Sequence, residues 1–146
     1  MLFRSAPAGI AEHERKLAAL GGIDAAVLGL GKNGHLGFNE PGSAPDSSGR
    51  VLDLEATSTA ANAEWFGGAY APAHGVTLGL GTLLAARRVL LVAFGPAKAD
   101  AVRDTVERAP NETCPGSWLQ RHPEAHLFLD GAAAARLASS SYRRAE

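Results

Sequence analysis

The 146 residues contain a single cysteine, Cys114, so no disulfide can form within the chain. That scarcity fits a reducing compartment, and a cytoplasmic setting is the expectation. Lysine is scarce too: Lys16, Lys32 and Lys98 are the only three. Aromatic residues make up 6% of the chain and the formal net charge is −1. With no cationic excess and no block of like charge, neither nucleic acid nor a membrane surface is an expected partner. No apolar run approaches the roughly 20 residues that span a bilayer. Residues 1–20 carry Arg4, Glu12, Glu14, Arg15 and Lys16, where a signal peptide would need an apolar segment, so no such leader is expected.

What is present is globular. Hydrophobic residues are 46% and charged residues 20%, close to the averages of folded domains. The 17 glycines and 8 prolines forecast many turns. Residues 10–20 read as an amphipathic helix with Ile10, Leu17 and Leu20 on one face, stopped by Gly21-Gly22. Ile23–Leu30 is short, apolar and bounded by glycines, the pattern of a buried parallel strand. Residues 31–49 form a long loop, 51–54 a short extended piece, and 57–66 a helix with Thr57 or Ser58 as its N-cap. Residues 67–74 read as loop and 77–86 as a helix. Arg88–Phe94 is the clearest strand. Gly95-Pro-Ala-Lys98 turns into a helix running to about Arg108, with Pro96 suited to its first turn. Residues 115–120 read as a short helix or turn, 126–130 as a third strand, 132–137 as a helix, and 139–146 as a polar tail.

Strands alternating with helices predict an α/β fold with a mostly parallel, Rossmann-like sheet and helices on both faces. Three strands are few for such a sheet. The chain is therefore expected to be part of something larger, with residues 1–146 as one partial domain.

The loop after the first strand offers two readings. Gly29-Leu-Gly-Lys-Asn-Gly34 matches G-x-G-x-x-G, with Asp53 about where a ribose-binding acid would stand. A dinucleotide site needs a helix to open at the third glycine, yet Gly37, Pro41 and Gly42 fall where that helix should run. The same segment places Asn33, His35 and Glu40 within eight residues at a strand's C-terminal end, where α/β sheets bind ligands. A histidine beside a carboxylate has its tautomer and basicity set for acid–base work near neutral pH. Spacing alone equally allows Asn33 and His35 to bond the backbone of a tight turn, with Glu40 solvated.

The stretch Gly29-Leu-Gly-Lys-Asn-Gly-His-Leu-Gly-Phe-Asn-Glu-Pro-Gly42 resembles the signature of the glucosamine-6-phosphate deaminase family, which includes galactosamine-6-phosphate deaminase/isomerases. Gly21-Gly-Ile-Asp24, Val76–Leu84, Val89–Lys98 and Leu119–Pro123 also resemble it, over about residues 12–135. The resemblance implies conversion of an amino-sugar 6-phosphate and water to a ketose 6-phosphate and ammonia, with no metal and no organic cofactor. It implies that His35 handles the ring-opening proton, that Glu40 and Asn33 orient and tune it, and that Lys98 and Gly34 bind substrate. Many members carry Asp where Asn33 stands, and many have an arginine where Glu64 stands. The lysine of allosterically regulated members is absent beside Leu52, although Arg50 is retained, so activation by N-acetylglucosamine 6-phosphate is not expected. Members are considerably longer, and the half that carries a further phosphate loop and the aspartate acting at C2 precedes the region matched here, so the resemblance implies that these residues are the C-terminal part of a larger three-layer domain. The expected partners are a small amino-sugar phosphate and either a homo-oligomeric copy or the missing N-terminal half. A non-catalytic sugar-phosphate-binding domain, or an inactive fragment lacking the C2 base, is the competing expectation.

His74, His122 and His126 have no metal-like spacing, Cys114 has no evident base partner, and Trp65 and Trp118 read as core or interface residues. Replacing Asn33 by an aspartate adds an anion beside the imidazole and favours its protonated form. In Asn33→Asp the acid limb of the pH–rate profile is expected to move upward, and an unmoved limb would contradict the placement of Asn33 beside His35.

Overall fold

The computed structural model describes residues 6–65 and 67–141. Phe66, the last residue of the helix expected over 57–66, and residues 142–146 of the expected tail lie outside the described residues, as does the side chain of Trp65. The order is α1 (Ala6–Ala19), β1 (Ala25–Gly29), β2 (Arg50–Asp53), α2 (Ala56–Trp65), β3 (His74–Thr77), α3 (Leu80–Leu84), β4 (Arg88–Ala93), α4 (Ala99–Glu107) and β5 (Ala125–Leu129). Short 3-10 turns cover Pro96–Lys98 and Pro115–Arg121.

Three strands form a parallel sheet in the order β1-β4-β5. β4 is the richest in β-branched and aliphatic residues and takes the centre. Parallel register puts Ala26 and Leu28 beside Val89 and Leu91, and these beside Ala125 and Leu127, all on one face. That face is the core. Leu80 and Leu83 of α3, Ala101 and Val102 of α4, and Leu119 close over it. The α/β class and the parallel sheet match the expectation. The helical cover assembled by these contacts lies on one face. On the other, Val27 is 69% exposed and Phe128 53% exposed.

Several local expectations differ from the structure. Residues 74–77 are not loop or helix start but β3, paired antiparallel to β2 from Arg50↔Thr77 to Asp53↔His74. The helix expected over 77–86 shrinks to Leu80–Leu84, because Gly79 approaches the Ser47 carbonyl so closely that a Cβ there would sit 1.9 Å from it. Residues 132–137 form consecutive turns rather than a helix. Asp130 accepts the Ala133 N–H at 2.7 Å and both of its oxygens lie 3.0 Å from the Gly95 N–H, so tertiary contacts override a segment too short to propagate a helix alone. Leu20 lies beyond α1 and is 83% exposed, because the chain turns away at Gly21 and Gly22, both at positive φ.

Helix α1 is tied down by Glu14. Its carboxylate accepts the Gly49 N–H at 2.7 Å, the Gly79 N–H at 3.0 Å and the Thr82 hydroxyl at 2.6 Å. Leu91 is fully buried at the sheet centre. Truncation there leaves a cavity that the surrounding sheet cannot fill, so Leu91→Ala is expected to cost about 2–5 kcal/mol in urea unfolding. A loss below about 1 kcal/mol would show that β4 is not the core strand.

Candidate active site

The site forms at the C-terminal ends of β1 and β4, which are adjacent and parallel, so the loops leaving them meet. The loop after β1 folds back on itself through Gly31 N–H to the His35 carbonyl and Gly34 N–H to the Gly31 carbonyl, both 3.0 Å. His35 lies over Gly31 so closely that a Cβ at 31 would fall 2.4 Å from Nδ1. Gly34 has φ +84°, and a Cβ there would meet Cys114 Sγ at 2.6 Å. The glycines therefore serve packing and turn geometry, not a pyrophosphate. No helix opens at Gly34, and the dinucleotide reading ends there.

Asn33, His35 and Glu40 are brought together. Glu40 Oε2 lies 3.3 Å from His35 Nδ1 and accepts from Asn33 Nδ2 at 2.7 Å. Asn33 Oδ1 stands 3.4 Å from the His35 backbone N–H. Glu40 is buried, and its Oε1 has no partner among the described residues. The carboxylate faces Nδ1, which leaves Nε2 as the nitrogen available to a ligand. Burial pushes the His35 pKa below its ordinary value; Glu40 and, more weakly, Glu55 oppose that shift, while Lys98 adds to it.

Lys98 ends the turn after β4, and its Nζ donates to the Leu30 carbonyl at 2.5 Å. One of three ammonium donors is spent there, and the other two have no hydrogen-bond partner among the described residues and can meet an anion. Burial, and then Lys32, hold its pKa below the usual lysine value. Lys98, Lys32, Asn33 and His35 line one cavity of about 400 Å³, with Val27 on its wall. Gly34 does not line it; its N–H and carbonyl are used in backbone bonds to Gly31 and Gly116. Glu64 is exposed on α2 and does not line it either.

Two participants were not legible in the sequence. Ser58, an expected helix cap, instead places its hydroxyl 3.2 Å from His35 Nδ1. Glu55, just before α2, accepts from Asn33 Nδ2 at 2.9 Å. Their only local signal is the helix start itself, which marks a chain end turning toward the loop. The remaining candidates are structural. Cys114 is buried and its thiol pKa is raised by burial. His122 Nε2 meets the Ala86 carbonyl at 2.7 Å, and Trp118 stacks under Arg121 at 4.8 Å. No group of three metal-ligating side chains occurs among the described residues, nor does any helix there have the length and apolarity to cross a membrane.

A family model described as Glucosamine-6-phosphate isomerases/6-phosphogluconolactonase matches residues 4–128. A glucosamine-6-phosphate deaminase of Shewanella loihica is 47% identical over 133 residues, which are 90% of this chain and 50% of that protein. One from Bifidobacterium longum is 43% identical over 134 residues, again 90% and 50%. Among solved structures, a monomeric glucosamine-6-phosphate deaminase matches with TM-score 0.85 at 36% identity, covering 88% of this chain and 54% of that one. The 6-phosphogluconolactonase from Trypanosoma cruzi matches with TM-score 0.70 at 24% identity, covering 94% and 54%, which is a likeness of fold. The chain spans about half the length of the curated relatives it matches.

The lowered His35 pKa fixes a stability dependence. As pH falls from about 6.5, the unfolded chain takes up the proton before the native one does, so stability is full above that pH and drops toward the native pKa. The loss of urea midpoint between about pH 7.5 and about pH 5.5 is therefore expected to be smaller in His35→Asn than in the parent chain. Equal losses would show that His35 is not held neutral by burial.

Proposed function

The chain belongs to the family of glucosamine-6-phosphate isomerases and 6-phosphogluconolactonases, and on that premise we propose that it forms the ring-opening and phosphate-holding part of an amino-sugar-6-phosphate deaminase. The observation that carries this reading is the cavity shared by His35 and Lys98, with Glu40 behind the imidazole. In this reading, Lys98 takes the substrate phosphate as a point charge. A neutral His35 takes up and returns the proton that moves as the sugar ring opens, through Nε2. Glu40 holds the imidazole in that tautomer and stabilises it when charged, and Asn33 fixes Glu40. The products are a ketose 6-phosphate and ammonia, from glucosamine 6-phosphate or its galactosamine epimer. No metal and no organic cofactor enter this scheme. That the identified relatives at 43–47% identity are deaminases supports the deaminase over the lactonase chemistry.

Isomerisation also needs a base at C2. No Asp or Glu lines the cavity among the described residues. We place that base on the polypeptide corresponding to the other half of the relatives' length, seated on the open sheet face. Val27 belongs both to that face and to the cavity wall, so a segment seated there reaches the substrate.

Ammonia release from both epimers, measured for the chain alone and after adding the uncovered half of the S. loihica relative, tests the reading. The chain alone is expected to be slow and the mixture faster. In the mixture, His35→Asn is expected to lower kcat/KM by about 10²–10⁴-fold, whereas Lys98→Ala acts mainly through KM. Binding of glucosamine 6-phosphate with no ammonia in either arm would replace the enzyme by a sugar-phosphate-binding domain, which the missing carboxylate favours. Neither binding nor ammonia would overturn both.

A further inference from the structure

We propose that Glu55 is a positioning residue of this site, the outer of two carboxylates that hold the Asn33 amide in the orientation that serves His35. The proposal rests on the reading above only in taking His35 as the working group. The contacts themselves stand without it.

Asn33 Nδ2 donates to Glu40 Oε2 at 2.7 Å and to Glu55 Oε2 at 2.9 Å. A primary amide has two N–H groups, and the two acceptors within 3.0 Å are both carboxylates, Thr57 Oγ1 standing further off at 3.5 Å. Turned by half a rotation, the amide would present its oxygen to both carboxylates, three acceptors with no proton between them. The pair of acids thus selects one rotamer. In that rotamer Oδ1 faces the His35 backbone N–H. Glu40 comes from the same loop, seven residues on. Glu55 stands just before α2, where its carbonyl accepts the Thr59 N–H at 2.9 Å. One turn further, Ser58 meets His35 Nδ1. The start of helix α2 is therefore joined to the loop at three points, Glu55 and, at a longer 3.5 Å, Thr57 to Asn33, and Ser58 to His35. Removal of the Glu55 charge weakens the first link and leaves Glu40 as the one charged acceptor on the Asn33 amide, with Thr57 Oγ1 at 3.5 Å as a longer, neutral one.

The electrostatic consequence runs through the same contacts. The groups facing His35 are Glu40 from its own loop, Ser58 and Glu55 from the start of α2, and Lys98 from the turn after β4, with Lys32 beside Lys98. Both carboxylates favour the imidazolium and Lys98 opposes it. Glu55 is exposed, so its direct field is screened, and its larger part is played through Asn33. The arrangement also couples position 33 to position 55. An aspartate at 33 would gather three carboxylates unless the charge at 55 is removed.

The test uses the whole chain without substrate. His35 is titrated by NMR in the parent, in Glu55→Gln, in Asn33→Asp and in the double variant, while urea midpoints are measured for the same four proteins. Glu55→Gln is isosteric at an exposed position and keeps the chain folded. Its His35 titration midpoint is expected to move down. Asn33→Asp is expected to lose more urea midpoint in the parent background than in the Glu55→Gln background. An unmoved His35 midpoint, which a purely structural Glu55 would give, overturns the proposal, and so does an equal cost of Asn33→Asp in both backgrounds. If Asn33→Asp fails to fold in the parent background but folds when combined with Glu55→Gln, the coupling is shown in its strongest form. If it folds in neither, the Glu55→Gln titration alone decides. Because no turnover is read, failure of the deaminase assay leaves this result standing, and failure here leaves that assay untouched.

Discussion

The loop that carries the site keeps its shape because one buried amide, Asn39, spends its hydrogen-bonding capacity on three separate pieces of chain. Nδ2 donates to the Leu36 and Leu78 carbonyls, each at 2.9 Å, and Oδ1 accepts from Arg50 at 2.9 Å. The same arginine reaches Ser43 Oγ at 2.7 Å, and that hydroxyl donates to the Glu40 carbonyl at 2.6 Å. A buried polar group left unpaired costs about 1–3 kcal/mol, so this network either forms whole or fails together. Once formed, it fixes the direction in which Glu40 leaves the loop, and hence the face that His35 turns to the cavity.

On that frame the electrostatics follow by proximity. Parallel pairing of β1 and β4 brings two loops to the same end of the sheet, one with an imidazole and one with an ammonium. The carboxylate behind the imidazole is buried, where its charge acts through a poorly screening medium. A cation at one wall, an imidazole at another and an acid set back from the solvent are the arrangement on which the proposed anion binding and proton transfer rest. The cavity wall that includes Val27 passes directly into an uncovered sheet face, so site and open surface are one feature rather than two.

Much of this was legible in the chain. β4 was plain from its apolar run, and the loop after β1 from its glycines and prolines. The grouping of Asn33, His35 and Glu40 was half legible: short spacing put them in one loop, but only the folded loop turned Glu40 inward onto the imidazole rather than out to solvent. β3 was not, since His74-Gly-Val-Thr77 is too short and too broken by glycine to declare itself without β2 opposite. The turns over 132–137 read as helix because alanine favours one, and Asp130 settled them through contacts with a strand end far away in sequence.

The sequence by itself determined the α/β class, marked Asn33, His35 and Glu40 as candidates within one loop and put Lys98 at a strand-to-helix turn, because each is written in residues close together along the chain. Only the tertiary structure decided that Ser58 serves the imidazole rather than a helix cap, that Glu55 shares Asn33 with Glu40, and that Gly34 packs on Cys114 instead of lining the cavity. Those contacts join segments that lie far apart along the chain. No local pattern encodes such a distance, and the hydrogen bonds exist only after the sheet has brought the segments together.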